Sequence, residues 1–307
     1  MNQKVLIAVV GPTAIGKTAL GILLAKHFKT EIISADSRQF FKEMNIGTAV
    51  PSPEELNEIP HHFIQHKSIF DSYSVGDFER DAIHLLEQLF QKHDIVVMVG
   101  GSGLYVDAVV NGLDEFPEVD SKIRESLNDR LLNEGLESLQ NELKQRDPAY
   151  YEIVDLDNPH RLIRALEVSI STNRPYSSFL AKDKPKRVFK SLYIGLQAPR
   201  ETIYERINAR VDLMMEAGLL EEAKKLHPHK ALNALQTVGY KELFEYLDGN
   251  CDLEYAISEI KKNTRRFAKR QLTWLRKNEN ILWVEHNTEP KTIIKKVTER
   301  LKTMDNA

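Results

Sequence analysis

The segment that most constrains this chain is Gly11-Pro12-Thr13-Ala14-Ile15-Gly16-Lys17-Thr18, entered directly from the apolar run Val5–Val10. It matches Gly-x-x-x-x-Gly-Lys-Ser/Thr, a pattern that carries chemistry only when a strand feeds the loop and a helix leaves it. Val5–Val10 is short, continuous and rich in β-branched residues, and Gly-Pro stops it, which predicts a buried strand. From Gly16 to Phe28, Leu20, Leu23, Leu24 and Phe28 recur at helical spacing. The glycines permit a tight turn in which backbone N–H groups point at phosphate oxygens, and the helix N-terminus adds its positive dipole end. Lys17 brings a full charge to the phosphates, and Thr18 is placed to ligate Mg²⁺. The loop is expected to bind a phosphorylated small molecule.

Strand and helix signals alternate after the loop. Glu31–Ser34 reads as a second strand ending in Asp36-Ser37. A helix follows from about Asp77 to Lys92, and Asp94–Val99 is a third strand running into Gly100-Gly101-Ser102-Gly103. Ser191–Leu196 resumes the strand pattern, Ile281–Glu285 adds a last strand, and long helices fill Arg200–Trp274. This alternation predicts an α/β fold, a P-loop NTPase-like parallel sheet flanked by helices. Between Phe116 and Lys186 the strand pattern gives way to charged helices such as Ser121–Leu132 and Asn158–Ser171. Residues 116–186 are therefore expected to form a helical insertion domain in a core built from 1–115 and 187–307. Ligands of parallel sheets gather at the carboxyl ends of the strands. Three loops lie there: Gly11–Thr18, Asp36–Gln39 and Gly100–Tyr105.

Composition narrows the class further. Among 307 residues, 42% are hydrophobic and 28% charged, the balance of an ordinary globular protein. Val5–Val10 is too short to span a bilayer, and the N-terminus lacks a signal-peptide pattern. A monomeric cytoplasmic enzyme with no membrane partner is the expectation. Cys251 stands alone, which excludes an intrachain disulfide framework and any Cys-x-x-Cys zinc module. The net charge of −3 conceals a basic segment from Lys261 to Lys277 with eight cations (Lys261, Lys262, Arg265, Arg266, Lys269, Arg270, Arg276, Lys277) and no acid. In a helix over Ile257–Leu275, the residues Ile257, Ile260, Phe267 and Trp274 share one face that should pack on the core. The cations take much of the rest, and their unmixed sign points to a polyanion such as nucleic acid.

The other two strand-end loops offer chemistry of lower specificity. Asp36 can accept a proton from an incoming nucleophile, help hold a metal's water shell, or simply cap a following helix. Ser102 can donate to a developing negative charge, or it can belong to an ordinary turn. The strand ending at Val99 is followed by glycines and no carboxylate, which weakens an ATPase reading and leaves room for a diphosphate substrate.

Taken in order, these segments resemble the tRNA dimethylallyltransferase (tRNA isopentenyltransferase) family from about Val5 to Arg276. The phosphate loop is followed by Asp36-Ser37-Arg38-Gln39, Ile46-Gly47-Thr48-Ala49, Tyr73-Ser74-Val75-Gly76-Asp77-Phe78 and Val99-Gly100-Gly101-Ser102-Gly103-Leu104-Tyr105. Arg161-Leu162-Ile163-Arg164-Ala165-Leu166-Glu167, Val238-Gly239-Tyr240-Lys241-Glu242 and Thr264–Trp274 complete the set. The resemblance implies transfer of a dimethylallyl group from dimethylallyl diphosphate to N6 of the adenosine directly 3′ of a tRNA anticodon, with Mg²⁺ assisting the departing pyrophosphate. It makes Asp36 the group that positions or deprotonates N6, has Thr13–Thr18 contact the diphosphate, and puts Lys17, Ser102 and Arg210 near the reacting ends. It also implies tRNA contacts at Asp36-Ser37-Arg38-Gln39, Ser102, Arg124, His160-Arg161-Leu162-Ile163-Arg164, Gln236-Thr237-Val238-Gly239-Tyr240-Lys241 and Lys269-Arg270-Gln271-Leu272-Thr273-Trp274-Leu275-Arg276. Arg38 and Gln39 would reach base edges, and the insertion would clamp the anticodon stem-loop. Four positions depart from the family's pattern. Ile15 stands where a small residue, often Ser, is usual, so one loop hydrogen bond is expected to be missing. Ser102 replaces Thr, Phe40 replaces Tyr and His160 replaces Gln. The alternatives are an adenylate (cytokinin-type) isopentenyltransferase and a P-loop kinase.

Overall fold

Val5–Val10 has no polar residue for either face, and all six of its residues are buried. A strand of that kind belongs at the centre of a sheet covered on both sides. In the computed structural model, which describes residues 3–180 and 185–305, it is the core strand β1. The others are β2 (Ile32–Ser34), β3 (His61–His62), β4 (Ile95–Val99), β5 (Lys190–Gln197) and β6 (Leu282–Glu285), in the order β3-β2-β4-β1-β5-β6. Every pairing is parallel, with β1 flanked by β4 (Val5 opposite Ile95) and β5 (Val5 opposite Lys190). The predicted α/β sheet flanked by helices is the fold observed.

Side chains alternate across the sheet, so each face has its own core. Leu6, Ala8 and Val10 join Phe78, Leu86 and Tyr240 on one side. Val5, Ile7 and Val9 join Leu24, Ile207 and Ala268 on the other. The chain divides into two units, one from Met1–Val110 with Arg187–Ala307 and the other Asn111–Lys186. The second unit starts a few residues before the expected edge at 116. Residues 181–184, inside the expected insertion, lie outside the described residues. This unit has its own apolar centre, where helices Ser121–Glu134, Leu136–Arg146 and Pro159–Thr172 bury Leu127, Leu139, Leu143, Leu162 and Leu166.

The helical expectation for Arg200–Trp274 needs correcting. That stretch is four helices (Arg200–Glu216, Leu219–Leu226, Tyr240–Leu247 and Leu253–Leu275), with two short 3₁₀ turns between the second and third. Gly218 (φ 99°) and Gly239 (φ 102°) start the second and third of these helices, and Gly249 (φ 80°) lies in the turn before the fourth.

Candidate active site

The phosphate loop leaves the carboxyl end of β1 and enters helix Lys17–Phe28 through Gly16, at φ 109°. No side chain caps this helix, so its first N–H groups face the space in front of the loop. The Lys17 Nζ lies within that turn and donates to the Pro12 carbonyl at 2.9 Å. Burial pushes the Lys17 ammonium down from 10.5 to about 8; Asp36 opposes the fall and Arg210 adds to it. Lys17, Asp36 and Arg210 therefore feel one another's charge at one place. Burial likewise lowers the Arg210 guanidinium, again opposed by Asp36, yet an arginine stays protonated.

A cavity of about 620 Å³ opens in front of the loop. Its wall includes Thr13–Ala19, Asp36, Gln39, Thr48–Ser52, Glu55, Val99–Gly101, Arg206 and Arg210. Asp36 sits in a turn in which its Oδ1 accepts the Arg38 N–H at 3.1 Å, and no helix follows for it to cap. Three parts of this wall were not among the site residues expected from sequence. Arg206 anchors the loop by donating from Nε to the Ala14 carbonyl at 2.8 Å. Glu55 closes a capping box with Ser52 on helix Pro53–Glu58. The Thr48–Ser52 stretch follows a turn gripped by Glu222, whose carboxylate accepts the N–H groups of Asn45, Ile46 and Gly47 at 2.9–3.1 Å. The Tyr240 hydroxyl donates to the same carboxylate at 2.6 Å. Each had some local signal: Arg206 lies one helical turn before Arg210, Glu55 completes a Ser52-x-x-Glu55 capping pattern, and Thr48 and Ala49 close the Ile46–Ala49 segment.

The IPP transferase family model matches residues 39–278, well over half of the chain. The chain belongs to this family. A tRNA dimethylallyltransferase from Christiangramia forsetii is 61% identical over 97% of this chain and 99% of its own length. Among solved structures, a tRNA isopentenylpyrophosphate transferase from Bacillus halodurans superposes with a TM-score of 0.74 at 37% identity, covering 99% of this chain and 98% of that one. A eukaryotic dimethylallyltransferase acting on tRNA gives 0.77 at 27% identity, over 92% of this chain and 74% of that one. Prenyltransferases of this kind generally use a divalent metal.

Family membership does not place each side chain, and several expectations change. Ser102 does not line the cavity; its hydroxyl sits 3.3 Å from that of Ser37, one residue beyond Gly101. Gln39 lines the cavity, and both it and Arg38 are tied to neighbouring loops. The Gln39 amide donates to the Thr48 and Ala49 carbonyls and accepts from Ser34, while Arg38 donates to the Asn233 and Ala234 carbonyls. Both are latches between loops. Leu162, Ile163, Tyr240 and Leu275 are buried in apolar packing, so their side chains cannot serve as surface contacts. Gln271 is buried as well and faces the phosphate loop. The Ile15 side chain turns into the core beneath the loop, and Phe40 is enclosed by Tyr73, Phe78 and Tyr105.

The basic helix Leu253–Leu275 also departs from expectation. Its core face is Ala256, Ile260, Ala268, Gln271 and Leu275, whereas Phe267 is 39% exposed. Lys261 pairs with Asp212 at 2.6 Å and Lys262 with Glu259, so these two are neutralised within the protein. Arg265 donates to Asn208 at 2.7 Å. Arg266, Lys269, Arg270 and, just past the helix, Arg276 and Lys277 are exposed and make no ion pair among the described residues. Gln236, Thr237, Val238 and Lys241 keep at least partial exposure, and Gly239 is buried backbone.

In the second unit, Arg124 and Arg164 converge on the buried Glu167, at 2.5–2.7 Å and 2.5 Å. Burial alone would raise this carboxyl, but the two guanidiniums outweigh it and hold it below the usual carboxylate range. Arg164 also lies over the Phe116 ring. His160 and Arg161 are exposed at the start of helix Pro159–Thr172. No helix among the described residues is long and apolar enough to cross a membrane.

Proposed function

We propose that this chain transfers a dimethylallyl group from dimethylallyl diphosphate to the exocyclic N6 of the adenosine directly 3′ of a tRNA anticodon. The observation that carries this reading is the convergence of Lys17, Asp36 and Arg210 on one cavity walled by an uncapped phosphate loop. Transfer of an allyl group needs an anion hole for the leaving group and a proton acceptor for the nucleophile. It needs no acceptor for a phosphoryl group. N6 attacks the allylic carbon, the carbon–oxygen bond breaks, and its electron pair leaves with pyrophosphate. Lys17, Arg210 and the loop N–H groups stabilise the charge that gathers on the departing oxygens. Asp36, a carboxylate in the cavity wall, takes the N6 proton.

The donor set fits Mg²⁺, which keeps much of its water shell and is held by one or two protein oxygens together with substrate phosphates. Thr13, Thr18, Asp36 and Glu55 are among the hard oxygen donors in the cavity wall, and Thr18 is the residue that would hold the ion. Such an ion would neutralise diphosphate charge.

The acceptor is read as RNA because relatives across the full length carry tRNA in their names and because exposed cations cluster on helix Leu253–Leu275. Arg266, Lys269, Arg270 and Arg276 would track phosphates, and exposed Phe267 offers a face on which a base can stack. His160, Arg161 and Lys241 are further exposed contacts, and the helical unit 111–186 would clamp the stem-loop. The target base must leave its stack to enter the cavity. The chain is read as acting as a monomer in the cytoplasm.

The test is incubation with allyl-labelled dimethylallyl diphosphate and two acceptors, an anticodon stem-loop and AMP. Label is expected in RNA. Label in AMP alone would make the enzyme an adenylate prenyltransferase, and label in neither would overturn the assignment.

A further inference from the structure

Helix Leu253–Leu275 drives one polar side chain inward. Gln271 is 8% exposed, although its neighbours Arg270 and Thr273 face solvent. Its Oε1 accepts the Thr13 N–H at 2.9 Å, and its Nε2 donates to the Gly101 carbonyl at 2.7 Å. The orientation of the amide is fixed by chemistry, since a backbone N–H needs an acceptor and a carbonyl needs a donor. Thr13 belongs to the phosphate loop and Gly101 to the loop after β4, and both line the cavity. One amide therefore ties the two loops to the helix that carries the exposed cations.

The glycines of the β4 loop make room for this tie. A Cβ on Gly101 would lie 2.7 Å from the Gln271 Nε2, and one on Gly103 would run into the Trp274 ring. Close approach of the helix is thus built into Gly101 and Gly103, whose sequence signal suggested a ligand loop. An apolar side chain could fill the space of Gln271, but it would strand the Thr13 N–H and the Gly101 carbonyl without partners.

We propose that Gln271 is a positioning residue that couples RNA on the outer face of this helix to the geometry of the phosphate loop, so that each ligand strengthens binding of the other. The inference rests on the proposed function. Arg266, Lys269 and Arg270 sit one turn or less apart on the outer face and repel one another. RNA phosphates remove that repulsion and seat the helix more firmly on its inner face. Gln271 passes the constraint to Thr13 and Gly101, and a loop fixed in advance binds diphosphate with less ordering cost. By linkage, diphosphate then improves RNA binding by the same factor.

The experiment is a thermodynamic cycle on the full chain. Affinity for inorganic pyrophosphate with Mg²⁺ is measured with and without an anticodon stem-loop, in the wild type, Gln271→Met and Gln271→Glu. The wild type should bind pyrophosphate at least about 5-fold tighter with RNA present, the low end of typical couplings. Gln271→Met should bring that factor to about 1 while RNA alone still binds. Gln271→Glu keeps an acceptor for Thr13 but repels the Gly101 carbonyl, so its factor should fall between. Thermal unfolding identifies a variant that fails to fold, and the other variant then decides. Equal factors in wild type and a folded variant, or no factor in the wild type, overturn the proposal. If neither ligand binds the wild type, the functional reading itself falls.

Discussion

Lys17 is a cation held inside protein until an anion arrives, and its behaviour with pH follows from that. Its folded value of about 8 lies below the 10.5 of an exposed lysine. As pH rises through about 8, the free protein loses this charge, so pyrophosphate affinity should fall there. Calorimetric titration over that range should show the loss, and Lys17→Met should bind weakly with a flat profile. Stability moves the other way. Between about 8 and 10.5 the unfolded chain binds more protons than the folded one, so ΔG of unfolding rises with pH in that window. Asp36→Asn should reduce single-turnover transfer by about 10²–10⁴-fold, the span of general base catalysis. Pyrophosphate binding should persist or tighten, because a negative charge has left the cavity. Near wild-type transfer in this variant would remove Asp36 from the chemistry. Both residues were legible in sequence, because each stands in a contiguous motif at a strand end. The internal partners of Arg38, Gln39 and Gln271 were not legible, because a sequence shows which donors a side chain carries and only the fold shows which groups they meet.

At the scale of elements, the decisive contact is that of helix Leu253–Leu275 with the loop after β4. Gly103→Ala would push a methyl into the Trp274 ring, an overpacking expected to cost about 1–3 kcal/mol. Urea unfolding of the variant should show that loss, and an unchanged midpoint would mean that the helix shifts freely. Strands β1 and β4 were readable as apolar runs that end in Gly-Pro and Gly-Gly, and helix Lys17–Phe28 by the helical spacing of its leucines. The two-residue β3 and helix Pro53–Glu58, which buries no residue, were not. Such short pieces have no period to detect; pairing with β2 holds β3, and a local capping box holds the helix. Phe267 is the instructive error. Helical spacing put it on the core face, but Ala268 and Gln271 occupy that face, which turns Phe267 outward among arginines.

For the whole molecule, net charge and local charge pull apart. A chain with net charge −3 should bind polyanions weakly unless one surface dominates. RNA affinity should therefore fall steeply with salt, and replacing Arg266, Lys269 and Arg270 by Gln should flatten the slope of log K against log salt by about 0.7 for each phosphate no longer neutralised. A filter-binding series at several salt concentrations measures this, and an unchanged slope would place the RNA elsewhere. The sheet order has a further consequence, for the time course of synthesis. β1 emerges first, yet it lies between β4 and β5, and Val5 meets Lys190 across roughly 185 positions. At ribosomal speed β1 waits roughly ten to forty seconds for its second neighbour. The phosphate loop shares that delay, since Gly11 comes to rest against the Leu196 backbone. A nascent chain cut short before β5 should therefore carry the complete nucleotide-loop motif and hold no diphosphate.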